Sequence, residues 1–112
     1  MYRGEDSYPI TIRRAYIALG RVDLRMGIDG LSSLVEYCFQ KDPMEEGTVY
    51  LFKGRKSDRI KGLMYDGTGF VLLTKRMNGD MKFHWPKTKE ELESIGPGQF
   101  SALMQGLVLD SR

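Results

Sequence analysis

A cationic turn between two strand-like runs carries the residues of this chain whose chemistry is clearest. Residues 52–61 include five Lys/Arg and one aspartate. Residues 53–89 hold 10 Lys/Arg against 3 Asp/Glu, whereas the rest of the chain holds 7 against 12. The net charge of +2 therefore conceals one basic region within an acidic remainder. This distribution indicates a surface that meets a polyanion such as nucleic acid, although lysines on a solvated sheet face are the simpler alternative.

Seven basic side chains from this region are the candidate phosphate contacts: Arg55, Lys56, Arg59, Lys61, Lys75, Arg76 and Lys82. Contacts from lysine and arginine to phosphate supply affinity with little reading of base sequence. We expect Lys61, Lys75 and Lys82 to form a row across the solvent face of a sheet, with the basic turn extending it at one end. Lys75 opposite Lys82 would be a destabilising like-charge pair that a phosphate could offset.

Other chemistries find less support in the residue types. Four aspartates could supply metal ligands for a nuclease: Asp23, Asp29, Asp58 and Asp66. Each also has a simpler role at a helix start, in a turn or beside an arginine. His84 and Cys38 alone are too few for a zinc site, and residues 54–57 lack the upstream glycine and the following helix of a phosphate-binding P-loop. The sequence predicts no catalytic residue, no metal and no cofactor.

Length and composition limit the classes of protein to which this chain can belong. A chain of 112 residues with 41% apolar and 29% charged residues is typical of one soluble globular domain. We expect a polar tail or edge segment over residues 1–13 and a single domain over 14–112. One cysteine fits a reducing cytoplasm, the acidic start of the chain is unlike a secretion signal, and no apolar run reaches the roughly 18 residues of a membrane span.

Hydrophobic periodicity predicts the elements that must position these residues. A short apolar run predicts a strand at 16–19, and a period of two predicts strands at 48–53, 58–65, 70–77 and 80–85. Apolar residues at three- and four-residue steps predict a helix over 27–41, with one face formed by Ile28, Leu31, Leu34, Val35, Cys38 and Phe39. Asp42-Pro43 should end that helix. Residues 66–69 read as a turn, and Asn78-Gly79 reads as a tight hairpin turn.

The last third of the chain predicts two further helices. A capping box at 88–91 should start a short helix that contains Leu92 and Ile95, and a second helix follows over 100–107. The order β-α-β-β-β-β-α-α indicates an α+β fold, an antiparallel meander of four to five strands with helices packed on one face. The core face should carry Phe70, Leu72, Phe83 and Trp85, buried against the helix at 27–41.

Several segments resemble one known family. Residues 23–31, Asp-Leu-Arg-Met-Gly-Ile-Asp-Gly-Leu, resemble the Asp-Met-Arg-x-Gly-Ile-Asp-Gly-Leu signature of the TnpB accessory proteins of insertion-sequence-sixty-six elements. Residues 52–70 are similar to that family's basic strand-turn-strand block, and residues 73–77, 83–86 and 103–107 to its later blocks. The resemblance runs from about residue 16 to 107. The chain departs from the family in having Tyr65 where tryptophan is common, and in a longer polar N-terminus.

The resemblance implies a small cytoplasmic protein of a bacterial mobile element that assists a separate, larger transposase. Together with the charge pattern, it predicts a non-enzymatic accessory factor for transposition that binds DNA, with the element ends as its expected target, or assists the transposase. A protein-interaction adaptor with little DNA contact is the alternative, and a metal-dependent nuclease is a third hypothesis. The signature residues Asp23, Arg25, Gly27, Asp29 and Gly30 are either a docking site or a structural motif in which a buried Arg25–Asp29 pair fixes a strand-to-helix junction.

Overall fold

A computed structural model of the protein describes residues 11–85 and 92–105. Five strands form one sheet: β1 Arg14–Ala18, β2 Thr48–Lys53, β3 Arg59–Tyr65, β4 Phe70–Arg76 and β5 Leu92–Ile95. Helix α1 spans Ile28–Ser33 and continues as a π-helical turn over Leu34–Cys38, and helix α2 spans Pro97–Met104. The prediction of an α+β fold is confirmed.

The sheet is mixed, with the strand order β4-β3-β2-β1-β5. Strands β2, β3 and β4 form the expected antiparallel meander. Strand β1, however, pairs with β2 in parallel, with Tyr16 opposite Tyr50. A parallel pair needs a long crossover connection, and the segment that contains α1 supplies it. The sequence pattern indicated both strands but not their mutual direction.

The two helices pack on opposite faces of the sheet. The face covered by α1, here called the α1 face, buries Ala18, Leu31, Val35, Tyr50, Phe52 and Leu63. The opposite, α2 face buries a larger cluster that includes Ile17, Leu51, Ile60, Met64, Phe83, Trp85 and Leu103. The sheet is therefore the middle layer of the fold, and the expectation that the helices share one face is wrong.

Helix α1 ends differently from the sequence prediction. The amide of Phe39 donates to the carbonyl of Leu34 at 3.2 Å, five residues back, which widens the last turn. The chain then leaves the helix at Gln40, whose φ of 55° is left-handed, before it reaches Pro43. The wide turn changes the angle around the helix axis between successive side chains, and as a result Phe39 packs against the α1-face core. Cys38, expected on the apolar face, is exposed.

The hairpin predicted at Asn78-Gly79 does not form, because the chain turns one residue later and no second strand follows. Gly79 adopts a φ of +58°, and the Met81 amide donates to the Asn78 carbonyl at 3.1 Å. Residues 80–85 are not a strand. Instead, the amide of Phe83 donates to the carbonyl of Ser57 at 2.7 Å, which carries the chain around the start of β3.

Burial of two aromatic side chains accounts for this path. Phe83 and Trp85 are buried on the α2 face, where the Trp85 indole N–H donates to the Ala18 carbonyl at 2.7 Å. Phe70 and Leu72 pack on the α1 face. The predicted single core face for these four residues is therefore wrong. Burying a phenyl ring and an indole ring gains more free energy than a short exposed hairpin can supply.

Residues 92–95, predicted as helix, form strand β5. This strand pairs antiparallel with β1, with Ala15 opposite Ile95, and so completes the second edge of β1. Strand pairing overrides the weak helical preference of such a short segment. The predicted capping box at 88–91 lies outside the described residues, as do residues 1–10 of the predicted tail and the last residues of the predicted final helix.

Candidate nucleic-acid interface

A groove of about 740 Å³ lies where the parallel strands β1 and β2 end. Because the carboxyl ends of neighbouring parallel strands meet at one sheet edge, the segments that follow them lie side by side. The amide of Val22, after β1, donates to the carbonyl of Lys53 at the end of β2, at 2.8 Å. The groove therefore joins the start of the 23–31 signature to the basic turn, two segments that are about 30 residues apart in sequence.

A glycine allows this close approach. Gly54 is buried, and a Cβ atom at that position would lie 3.0 Å from Cγ of Leu24. This separation is tighter than nine in ten real Cβ contacts, so Leu24 would have to shift by a few tenths of an ångström. Leu24 therefore packs directly over the backbone of the basic turn, and the two segments form one continuous wall.

The segment that follows β1 alternates between packed and exposed residues. Its inward side chains pack against the α1-face core: Val22, Leu24, Met26 and Ile28. Its exposed positions are Arg21, Asp23, Arg25, Gly27 and Asp29. The alternation is visible in the sequence as a polar–apolar repeat. It could have identified Arg21, which lines the groove but was not among the sequence-predicted site residues.

Asp23 binds the guanidinium group of Arg25 through both of its carboxylate oxygens. Nε donates to Oδ1 at 3.0 Å and Nη2 to Oδ2 at 2.8 Å, while the Arg25 amide also donates to Oδ1 at 2.9 Å. These bonds lower the pKa of Asp23 to about 2, with a smaller contribution from the charge of Lys61. The Arg25 side chain is 91% exposed. The interpretation of a buried Arg25–Asp29 pair is therefore wrong, because the partner is Asp23 and the pair lies at the surface.

Lys61 has a structural contact as well as a position in the groove. It is half-buried, and its Nζ donates to the Met26 carbonyl at 3.1 Å, just before α1. Arg59, two residues earlier on the same face of β3, bonds to Asp58 through Nε at 3.4 Å. These two cations are therefore fixed by the fold, since each has a protein partner.

Two exposed cations extend from the basic turn. Arg55 and Lys56 line the groove and make no ion pair or hydrogen bond with another described residue through their side chains. On the strands below, Arg59 lies directly opposite Arg76 on the α1 face. Like charges directly opposite each other in a sheet are destabilising. A bound anion would relieve this repulsion.

The groove lining is strongly cationic. Its basic side chains are Arg21, Arg25, Arg55, Lys56, Arg59 and Lys61. Among the residues that the structure describes, Asp23 is the one carboxylate in the lining. Such a concentration of positive charge attracts phosphate and other anions.

The predicted row of three lysines does not exist. Lys61 pairs with Thr74 across β3 and β4, so Lys75 lies on the opposite face of the sheet. There, Lys75 Nζ donates to the Met104 carbonyl of α2 at 2.6 Å. Lys82 is exposed in the loop that passes Ser57 and does not line the groove. A one-residue difference in register moves a side chain to the other face of the sheet. Lys61 therefore lies on the same side as the basic turn, and Lys75 does not.

The carboxylates proposed for a nuclease do not assemble. Within residues 11–85 and 92–105, no three His, Cys, Asp or Glu side chains are grouped so that they could hold a metal ion. Asp66 Oδ1 accepts hydrogen bonds from the amides of Thr68 and Gly69, each at 2.9 Å, and so closes the turn before β4. Asp29 is exposed in the first turn of α1.

No helix within the described parts of the chain has the length and apolar character needed to cross a membrane.

Comparisons with known proteins identify the family. Two proteins of Sinorhizobium fredii are similar to this chain: the uncharacterized protein y4hO is 33% identical over 94 residues, 84% of this chain and 80% of that protein. The uncharacterized protein y4jC is 34% identical over 94 residues, 84% of this chain and 79% of that protein. No solved structure matches the chain. A sequence model of the family described as IS66 Orf2 like protein matches residues 13–112, and the chain therefore belongs to that family.

Proposed function

We propose that the protein is a non-enzymatic accessory factor of DNA transposition that binds DNA through the basic groove and assists a separate transposase in the cytoplasm. Membership of the IS66 Orf2-like family supports involvement in transposition. The observation that carries the DNA-binding part is the gathering of six basic side chains around one groove that holds a single carboxylate among its described residues.

The expected source of affinity is the release of counterions from DNA phosphates. Each phosphate that a lysine or arginine neutralises adds about 0.9 to the negative slope of log K against log salt for duplex DNA. A groove in which several of these cations meet phosphates should therefore bind DNA tightly at low salt and lose affinity steeply as salt rises.

The test is a salt titration of binding to fluorescently labelled element-end DNA. The variant removes the two exposed cations of the turn, Arg55→Gln together with Lys56→Gln. The matched control is Lys75→Gln, which removes a cation from the opposite face of the sheet. We expect the double variant to bind more weakly and with a shallower salt slope, and the control to bind as the parent does. A flat salt response of the parent protein would contradict the proposal.

The adaptor hypothesis also has a specific observation in its favour. The exposure of Arg25 leaves its guanidinium group accessible to a protein partner, and Arg25 and Asp29 are exposed in the same stretch. Pull-down of the transposase encoded by the same element, compared between the parent protein and Arg25→Ala, distinguishes the two functions. Lost pull-down with unchanged DNA binding would favour the adaptor, whereas lost DNA binding with unchanged pull-down would favour the DNA-binding factor.

A further inference from the structure

We infer that the groove binds the phosphate backbone of double-stranded DNA, in preference to a single strand and without reading the bases. This inference rests on the proposed function and specifies the class of nucleic acid.

The lining offers no platform for an unpaired base. Proteins that hold single-stranded nucleic acid stack bases on exposed aromatic rings. No aromatic residue is among the described residues of the groove lining. The aromatic rings of the α1 face are engaged elsewhere, because Tyr16 stacks on Tyr50 at 5.5 Å between ring centroids and Tyr65 meets Phe70 edge to face at 5.2 Å. Tyr37, the exposed aromatic residue at the end of α1, lies outside the lining.

The lining is also poor in groups that read adenine and cytosine, and contacts from arginine or lysine to guanine are the main base contacts left to it. Asparagine and glutamine are the usual readers of adenine, and a free carboxylate accepts from cytosine. Among its described residues the lining contains no side-chain amide, and its one carboxylate, Asp23, is bonded to Arg25. Arg25 and Arg59 each use Nε to bond an aspartate, which reduces their freedom to turn toward a guanine. What the groove presents is positive charge with little base discrimination.

Duplex DNA is the better ligand for such a surface. It carries one charge per about 1.7 Å of helix axis, a density that a flexible single strand does not reach. The groove is held open by the Val22–Lys53 backbone hydrogen bond and by the bond from Lys61 to the Met26 carbonyl. The phosphates of a duplex are already held in a regular array, whereas a single strand would have to give up conformational freedom to meet these cations.

The experiment measures fluorescence anisotropy with labelled oligonucleotides at several salt concentrations. The probes are a duplex of the element end, a duplex of scrambled sequence, and the separated strands of each. We expect both duplexes to bind with similar affinity, and each duplex to bind about tenfold more tightly than its strands, because the electrostatic contribution follows charge density. In Arg55→Gln with Lys56→Gln, the duplex salt slope should fall by about 0.9 for each charge removed.

The outcomes separate this inference from the proposed function. Single strands that bind as tightly as duplexes, with binding that still weakens in the double variant, would overturn the inference and leave the DNA-binding function standing. A strong preference for the element-end duplex over the scrambled duplex would overturn the claim that bases are not read. Failure of every probe to bind at low salt, with the protein folded by circular dichroism, would overturn both.

Discussion

Leu24 packs directly over Gly54, where the segment that leaves β1 meets the turn that leaves β2. Through this contact the apolar side of the 23–31 signature determines the shape of a groove whose chemistry lies in the basic turn. The signature and the turn are thus two walls of one groove, and the small size of Gly54 allows them to approach each other.

Replacing Gly54 with alanine should therefore separate the walls. Its Cβ would lie 3.0 Å from Leu24 Cγ, and overpacking of this kind costs about 1–3 kcal/mol of the free energy of unfolding. Urea denaturation measures the loss. Gly69→Ala is the matched control, because a Cβ there meets nothing within 4 Å. Equal stability of the two variants would show that Leu24 moves aside without cost.

The sequence predicted the local parts of this site better than their assembly. The basic turn, strands β2 to β4 and most of α1 follow from periodicity and glycine placement. The groove itself depends on the parallel pairing of β1 with β2, and nothing local in a four-residue apolar run indicates its direction. The path of residues 80–85 likewise depends on the burial of Phe83 and Trp85 on the α2 face. The free energy gained by burying these two rings outweighs the local preference of Asn78-Gly79 for a hairpin turn.

Asp23 should make stability depend on pH in the acid range. Its pKa in the folded protein is about 2, below the ordinary value of 3.8, because Arg25 donates to the ionised carboxylate. A depressed folded pKa means that the stabilisation is present above about pH 4 and is lost as the pH falls toward 2. The difference in thermal midpoint between the parent protein and Asp23→Asn should therefore shrink over that range. A carboxyl titration by NMR that gives Asp23 an ordinary pKa would contradict the paired geometry.

Arg25→Ala and Arg25→Lys test whether the exposed arginine serves binding rather than folding. The side chain is 91% exposed and exposed ion pairs contribute only about 0.2–1 kcal/mol, so we expect both variants to melt within a few degrees of the parent protein. DNA affinity should fall in Arg25→Ala, and lysine should restore it only in part because an ammonium group lacks the planar fork that bonds Asp23 twice. A large drop in melting temperature for Arg25→Ala would show that Arg25 has a structural role.

Lys61 should behave differently from the exposed cations of the turn. Its Nζ, in a half-buried side chain, donates to the Met26 carbonyl, and removing a hydrogen bond from a charged group costs about 1.5–3 kcal/mol. We expect Lys61→Met to lower both stability and DNA affinity, measured by urea denaturation and anisotropy. Lys56→Gln is the comparison, since it should lower affinity alone. If the two variants were equally stable, the Lys61 bond would have no part in holding the groove.

Replacing one of the two facing arginines of β3 and β4 should raise the stability of the free protein and lower its affinity for DNA. Arg59 lies directly opposite Arg76 on the α1 face, and like charges in this position cost about 0.2–1 kcal/mol. Arg76→Gln should therefore stabilise the free protein by roughly that amount while reducing the duplex salt slope by about 0.9 if Arg76 meets a phosphate. Urea denaturation and salt-dependent anisotropy measure the two effects on the same sample.

Lys75→Gln is the control for the facing arginines, because Lys75 lies opposite Ile60 on the α2 face and has no cation directly across the ladder. It should bring no gain in stability and no change in slope. A fall in stability for Arg76→Gln would mean that its side chain supports the sheet through packing instead of opposing Arg59. A gain in stability with unchanged DNA binding would mean that the phosphate path follows the groove lining, to which Arg76 does not belong, and does not extend to Arg76.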